Sequence, residues 1–331
     1  MIFNTGLNTL QYILEMDYTT LLSRRYASGV YVNHPTSSHG SSSVNIILNT
    51  VMNDVTSPHT SIVIPIHNQE EIIVHNTESI LRCTTDSPYE LILILDSCTD
   101  RTKEHLLAFF ATFAHPPLLT NILMLESMTP LFETTADNIG FLCARGLFLL
   151  EIQADMEMVQ PGYNTVLMKP FTQLPDLIGV SGRCCHGLTN AQGVGKLGHA
   201  IERPLSPTID QTCFYIGETC NRGPLMLHAA KLRTLGFLDE KNYFLDNSDH
   251  DLFARAFAQR GWLCGYMPIE FKAPLSHGST RKKRDEANER MYQYKRSTCT
   301  ENGFLRKYLQ SRPPSRPIRI VPLKIETSVA P

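Results

Sequence analysis

The chain has no Cys-x-x-Cys pair, although it carries nine cysteines: Cys83, Cys98, Cys143, Cys184, Cys185, Cys213, Cys220, Cys264 and Cys299. An odd count without paired spacing gives no disulfide framework and no zinc-ribbon pattern. Free thiols in apolar contexts behave as small hydrophobes, so a reducing compartment is expected. No apolar run approaches the ~20 residues that span a bilayer. No basic segment followed by an apolar one marks the N-terminus, so no secretory signal is expected. The net charge is only −2, which argues against bulk nucleic-acid binding. Internal repeats and long low-complexity segments are also missing.

What is present is an ordinary globular composition, 42% hydrophobic and 19% charged over 331 residues. That length suits one large domain with extensions or two smaller ones. The charge is unevenly spread. From Arg281 onward there are 13 Lys/Arg against 5 Asp/Glu, a local +8, and the first 280 residues carry −10. A solvated basic tail is the plain reading; contact with phosphates, an anionic membrane surface or an acidic partner is the other.

Ser61-Ile-Val-Ile-Pro-Ile66 and Glu90-Leu-Ile-Leu-Ile-Leu95 are apolar almost throughout, the pattern of parallel strands covered on both faces. The first runs into His67-Asn68-Gln69-Glu70-Glu71 and the second into Asp96-Ser97-Cys98-Thr99-Asp100. Polar groups at strand C-termini are where open α/β sheets bind ligands. Gln69 to Cys83 reads as a helix. Thr99 or Asp100 is expected to cap another, with Leu106, Leu107, Phe110 and Phe113 at helical spacing, ended by Pro116-Pro117. Asn121 to Leu125 is a third strand candidate. Asp137 to Gly146 reads as a helix and Leu147 to Ile152 as a strand that ends in Gln153-Ala154-Asp155-Met156-Glu157. The βαβαβ order predicts a parallel sheet with right-handed crossovers. No G-x-G-x-x-G follows the first strand, so a dinucleotide-binding domain lacks its phosphate loop.

Carboxylates in a loop after a buried strand suit Mg²⁺ or Mn²⁺, which take oxygen ligands and keep sites for phosphate oxygens. Asp155 fits that description, and a turn-forming Asp fits it as well. Ser248 and Asp251 have capping-box spacing before an apolar helix face of Leu252, Phe253, Ala256 and Phe257, closed by Gly261. Asp249 is expected at the N-terminus of that helix, exposed to the cleft and kept ionised by the helix dipole. There it can take a proton from a substrate hydroxyl. His277, beside a glycine and the basic run Arg281–Arg284, can ligate a metal or hold a diphosphate.

Taken in order over residues 60 to 285, these segments resemble the family 2 glycosyltransferases. The first strand resembles that family's opening strand with its Pro-x-x-Asn-x-Glu turn, here Pro65, Asn68 and Glu70. Leu91 to Thr102 resembles its "DDGSTDGT" strand end. Asn138-x-Gly140, Ala144-x-Gly146 and Gln153-Ala-Asp155 resemble the elements that deliver the DXD motif. Asn221-Arg-Gly-Pro224, Leu235 to Glu240 and Asp249-x-Asp251-Leu252 resemble the acceptor half. The resemblance implies a GT-A fold, α/β with a Rossmann-like half and a mostly parallel central sheet, fused to an acceptor half. It divides the chain into an extension (1–55), a nucleotide-sugar half (56–160), an acceptor half (161–290) and a basic tail (291–331).

The implied activity is a metal-assisted, inverting hexosyl transfer from a nucleoside-diphosphate sugar to an acceptor hydroxyl. UDP- or GDP-sugar is the expected donor, with a glycan, lipid-linked or protein acceptor. By this resemblance Asp249 is the catalytic base, and Asp155 and His277 hold Mn²⁺ or Mg²⁺. Pro65, Asn68, Glu70, Asp96, Asn138, Gln153, Asp155, Arg222 and Arg281 line the donor site. A cytoplasmic protein is expected, with peripheral membrane contact through the basic tail as an addition. Two positions depart from the family pattern: Gln153 replaces the first Asp of the DXD motif, and Leu95 the first Asp of the second strand's pair. Glu157 is the nearby acid that can compensate. The alternative is a GT-A module that binds nucleotide or glycan without transfer.

Overall fold

The computed structural model describes residues 44–52, 57–188, 196–198, 209–273, 286–299, 302–311 and 313–324. The first half alternates strand and helix: β1 (Val44–Val51), β2 (Thr60–Ile66), α1 (Ile73–Cys83), β3 (Tyr89–Asp96), α2 (Thr102–Thr112), β4 (Leu119–Ser127), α3 (Glu133–Cys143) and β5 (Phe148–Glu151). The second half is less regular. It runs through β6 (Glu157–Met158), α4 (Tyr163–Gln173), β7 (Leu177–Ser181), β8 (Cys184–His186), β9 (Leu197–Gly198), β10 (Cys213–Gly217), β11 (Thr219–Cys220) and β12 (Leu225–His228). After these come α5 (Ala229–Leu235), α6 (Ser248–Arg260), β13 (Leu263–Tyr266), β14 (Phe271–Lys272), α7 (Glu286–Thr298), α8 (Phe304–Gln310) and β15 (Arg319–Pro322).

Ten strands form one sheet in the order β1-β4-β3-β2-β5-β12-β7-β13-β10-β15. The neighbours β4, β3, β2 and β5 are mutually parallel, and β7 and β13 are parallel to each other. Following the pairings across the sheet, β1, β12 and β10 run against the other seven strands. The sheet is therefore α/β and mostly parallel in direction, as expected. Its outer strands depart from the expected boundaries. β1 lies inside the stretch read as an extension and pairs with β4; β15 lies inside the basic tail and pairs with β10.

Period-two side-chain alternation explains the layering. Val63, Ile92 and Ile94 point into one buried apolar cluster with α3, α5 and α6. Ile62, Ile64, Ile66, Leu91, Leu93 and Leu95 point into the opposite one, with α1 and α2. Pro65 is tolerated because the Val63 carbonyl accepts from Ile152 of the neighbouring chain segment, while the β2–β5 ladder stops at Val63. The proline's missing N–H thus faces beyond the end of β5, where no ladder bond is lost. Glu90 is buried at 1% exposure near the start of β3. It accepts from Ser61 Oγ at 2.6 Å and from Arg145 Nε at 2.8 Å, pinning the end of the α3 region to the sheet.

Two capping expectations are corrected. Arg101 precedes α2 without a side-chain cap, and Asp100 instead accepts the Thr102 N–H at 3.0 Å. The residue before α6 is Asn247, in the left-handed region at φ 66°, and Ser248 is already helical. Asp251 does not cap the helix. It accepts from Arg255 Nε at 2.7 Å and from the Leu305 N–H at 2.8 Å, holding α8 against α6. Gly261 closes α6 at φ 67°, as expected. All nine cysteines are free, and no helix of the described residues is long and apolar enough to cross a membrane.

Gly140 lets α3 lie directly on β2 and β3: a Cβ there would overlap the Val63 Cγ1 methyl and come within 2.9 Å of Ile94 Cδ1. Both partners are buried, and Val63 is stiff at χ1. Gly140→Ala is expected to destabilise the fold by about 1–3 kcal/mol, read as a lower urea midpoint with an unchanged m-value.

Candidate active site

The C-terminal edge of β2, β3 and β5 carries the expected polar turns, and the first two are laced together. Asn68, at φ 50°, accepts the Thr99 N–H at 2.8 Å and the Asp100 N–H at 3.3 Å through Oδ1. Gln69 N–H donates to Thr102 Oγ1 at 2.8 Å, and Glu70 N–H to Asp100 Oδ2 at 3.0 Å. Glu70 Oε2 accepts the Arg101 N–H at 2.9 Å. The Pro-x-x-Asn-x-Glu turn and the second loop are thus one unit. Asn68 and Glu70 brace that unit.

Asp96 departs from expectation. It is 5% exposed, and its two oxygens accept the Leu131 N–H at 2.6 Å and the Phe132 N–H at 2.9 Å. Burial pushes its carboxyl up, against the pull of those two donors and His67. A carboxylate engaged in this way fixes the loop that enters α3. Asn138 is also turned inward. Fully buried on α3, it donates to the Leu238 carbonyl at 3.0 Å and to Glu240 Oε2 at 2.9 Å, and it accepts the Leu238 N–H at 3.0 Å. It ties α3 to the segment that follows α5.

Past β5, the Gln153–Asp155 turn is held by the Met156 N–H to the Gln153 carbonyl at 3.1 Å and by Asn76 Nδ2 to the Ala154 carbonyl at 2.8 Å. Asp155 is half-buried on this turn. Gln153 Nε2 donates to Glu133 Oε1 at 2.9 Å, and its Oε1 accepts from Arg183 Nη1 at 3.2 Å. The amide carbonyl is therefore already engaged by Arg183. Glu157, the nearby acid, pairs with His75 at 3.4 Å and Lys272 at 3.1 Å. His277 and Arg281 lie outside the described residues.

Asp249 sits in the first turn of α6, as expected, but only 6% exposed. Its Oδ1 accepts the His250 N–H at 2.8 Å and its Oδ2 the Arg222 N–H at 3.3 Å. Burial alone would raise its pKa; neighbouring His250, the Arg222 guanidinium and the two backbone donors outweigh that and hold it below the ordinary carboxylate value. The group is ionised at neutral pH.

Arg222 was expected to line the donor site. Instead it is buried at 5% exposure as an internal clamp. Nη1 donates to Asp137 Oδ2 at 2.6 Å; Nη2 donates to the Leu245 carbonyl at 2.6 Å and to Ser248 Oγ at 2.7 Å. Burial works against its charge, and Glu133, Asp137, Asp249 and Glu151 more than restore it. Asp137 is pushed up to about 7 by burial, with Arg222 opposing, and burial likewise raises Glu151. These acids escaped the sequence reading. Glu151 had a signal: a carboxylate in the apolar run Leu149-Leu-Glu-Ile152 is rarely buried without a partner.

Removing this guanidinium leaves Asp137 buried without its partner. Arg222→Met is expected to cost roughly 3–5 kcal/mol in chemical denaturation. Arg222→Lys should recover only part of that loss, because one ammonium cannot reproduce the fork to Asp137, Leu245 and Ser248.

Residues 61–215 match the family model described as Glycosyl transferase family 2. No curated protein matches the chain by sequence. Among solved structures, GalNAc-T7 with UDP, GalNAc and Mn²⁺ aligns at TM-score 0.49 and 17% identity, over 65% of this chain and 43% of that one. The mannosyltransferase PcManGT from Pyrobaculum calidifontis, in complex with GDP-Man and Mn²⁺, aligns at 0.47 and 15%, over 80% and 65%. S. aureus TarS 1–349 in complex with UDP aligns at 0.44 and 13%, over 65% and 60%. The chain thus spans less than two thirds of each of these structures. Residues 61–215, just under half of the chain, are thus the part that resembles the family 2 glycosyl transferases, and the turns that carry the resemblance lie at one edge of the sheet.

Proposed function

We propose that the protein moves a sugar from a nucleoside-diphosphate sugar to an acceptor hydroxyl with inversion, using Asp249 as the base. One observation carries this reading. The loop that donates the Arg222 N–H to Asp249 continues into Gly223, and a Cβ at Gly223 would stand 2.9 Å from Gln153 Cγ. The ionised carboxylate is therefore built against the turn that holds Asp155, where the donor diphosphate is expected.

In the proposed reaction Asp249 takes the proton of the acceptor hydroxyl as its oxygen bonds to the anomeric carbon. The bond from that carbon to the diphosphate oxygen breaks on the opposite face, which inverts the centre. Holding both substrates in one cleft supplies the orientation term. Asp155 offers one carboxylate, which suits Mg²⁺ or Mn²⁺ held largely by diphosphate oxygens and water. When bound, that ion would neutralise charge on the leaving nucleoside diphosphate. Arg183, already bonded to Gln153 Oε1, adds a cation at the same turn. The acceptor is a hydroxyl of a glycan, lipid-linked or protein substrate, and the basic residues of 291–331 are the part of this reading that concerns a membrane surface.

Asp249→Asn is expected to lower kcat by roughly 10²–10⁴-fold while leaving the donor Kd within about twofold. Unchanged kcat would remove Asp249 from the chemistry. Because its pKa lies below the ordinary 3.8, the base stays charged as pH rises from there. The acid limb that it sets in kcat should fall below pH 3.8, and a limb near neutrality would belong to another group. Thermal-shift titration with UDP, GDP, CMP and their sugars, with and without Mn²⁺, names the donor class. The matching nucleotide raises Tm by mass action, and the metal-dependent part of the rise disappears in Asp155→Ala.

A further inference from the structure

Glu133 in the first turn of α3, Asp137 one turn on, and Glu151 at the end of β5 bring their carboxylates together. One oxygen from each lies within 4.8 Å of the others. Asp137 and Glu151 are fully buried, and the Glu133 side chain is 23% exposed. Each carboxylate has one oxygen oriented by the protein. Asp137 Oδ2 accepts from Arg222 Nη1 at 2.6 Å, Glu151 Oε2 from the Gly223 N–H at 2.8 Å, and Glu133 Oε1 from Gln153 Nε2 at 2.9 Å.

The remaining oxygens of the two buried acids, Asp137 Oδ1 and Glu151 Oε1, have no hydrogen-bond partner among the described residues. A buried carboxylate oxygen left unmet is costly, more so when charged. Charge leads to the same conclusion. Against three carboxylates stands one guanidinium, Arg222, which lies 2.6 Å from Asp137 and 3.8 Å from Glu133. Carboxylates thus outnumber the cation that faces them, and the two unmet oxygens are open to a metal ion or a proton.

We propose that Glu133, Asp137 and Glu151 bind a divalent cation, Mg²⁺ or Mn²⁺, at a site separate from Asp155. The donor set is all oxygen, as hard cations require. The outer hydrogen bonds from Arg222, Gly223 and Gln153 orient each ligand as surrounding donors do in metal sites. Water can complete the shell from the Glu133 side, which is also the route in. The ion joins α3, β5 and the Arg222–Gly223 loop, so it stabilises the platform on which Asp249 stands. This goes beyond the transfer reaction and does not depend on it.

The test is direct metal binding by the full-length Asp155→Ala chain, using Mn²⁺ in equilibrium dialysis and low-temperature EPR. One bound equivalent is expected, with a Tm that rises with Mn²⁺. That equivalent should be lost on adding Glu133→Gln, chosen because Glu133 is the least buried of the three. Adding Glu151→Gln should also remove it, and circular dichroism checks the fold of each variant. The proposal is overturned if folded Asp155→Ala binds no Mn²⁺, because protons would then neutralise the cluster. It is also overturned if the bound equivalent survives in a folded chain carrying either added substitution.

Discussion

A single buried guanidinium organises the centre of this molecule. Arg222 has two parts of the fold within its reach: α3 through Asp137, and the entry to α6 through Leu245 and Ser248. Its backbone N–H also meets Asp249. Burying a guanidinium is expensive unless its donors are met and its charge is opposed, and here both conditions are supplied by the elements it joins. The acids need Arg222 as much as it needs them. The position of the proposed base therefore depends on Arg222 being held between α3 and the entry to α6.

Around this clamp, the motif side chains divide their labour differently from their order in sequence. Asp96, Asn68 and Glu70 use their carboxylate and amide oxygens on backbone N–H groups of neighbouring loops. Asn138 uses its amide on Leu238 and Glu240. These contacts order the loops at the strand ends so that little rearrangement is left for the binding step, which is the advantage of a preorganised site. The two acids of the proposed reaction lie elsewhere, Asp155 on the turn after β5 and Asp249 in the first turn of α6.

The central strands were legible because burial on both faces writes an unbroken apolar run, as in Ile62–Ile66 and Leu91–Leu95. The helix end at Gly261 was legible because a left-handed residue favours glycine. The sheet edges were not. β1, Val44-Asn-Ile-Ile-Leu-Asn-Thr-Val51, is mixed because part of it is exposed, and β15 spans only Arg319 to Pro322. The capping box failed because Ser248 satisfies its hydroxyl on Arg222 and Thr134, and Asp251 its carboxylate on Arg255 and Leu305. Spacing identifies which side chains are available; it does not show which tertiary partner reaches them first. For the same reason the partners that Asp96 and Arg222 meet, Leu131 and Phe132 for the first and Asp137, Leu245 and Ser248 for the second, were not legible in the sequence.

The replacement of the first DXD acid is consistent with these surroundings. At Gln153 the side chain must donate to Glu133 and accept from Arg183, 2.9 Å on one side and 3.2 Å on the other. An amide does both. An aspartate has no proton to give, so it would face the Glu133 carboxylate with like charge and lengthen an acidic cluster that already exceeds its one guanidinium. Glutamine is thus the neutral partner that a nearby acid requires, and Glu133 carries the carboxylate charge on this side of the turn. The motif departs from the family pattern in sequence, while the acid it lacks stands one hydrogen bond away on α3.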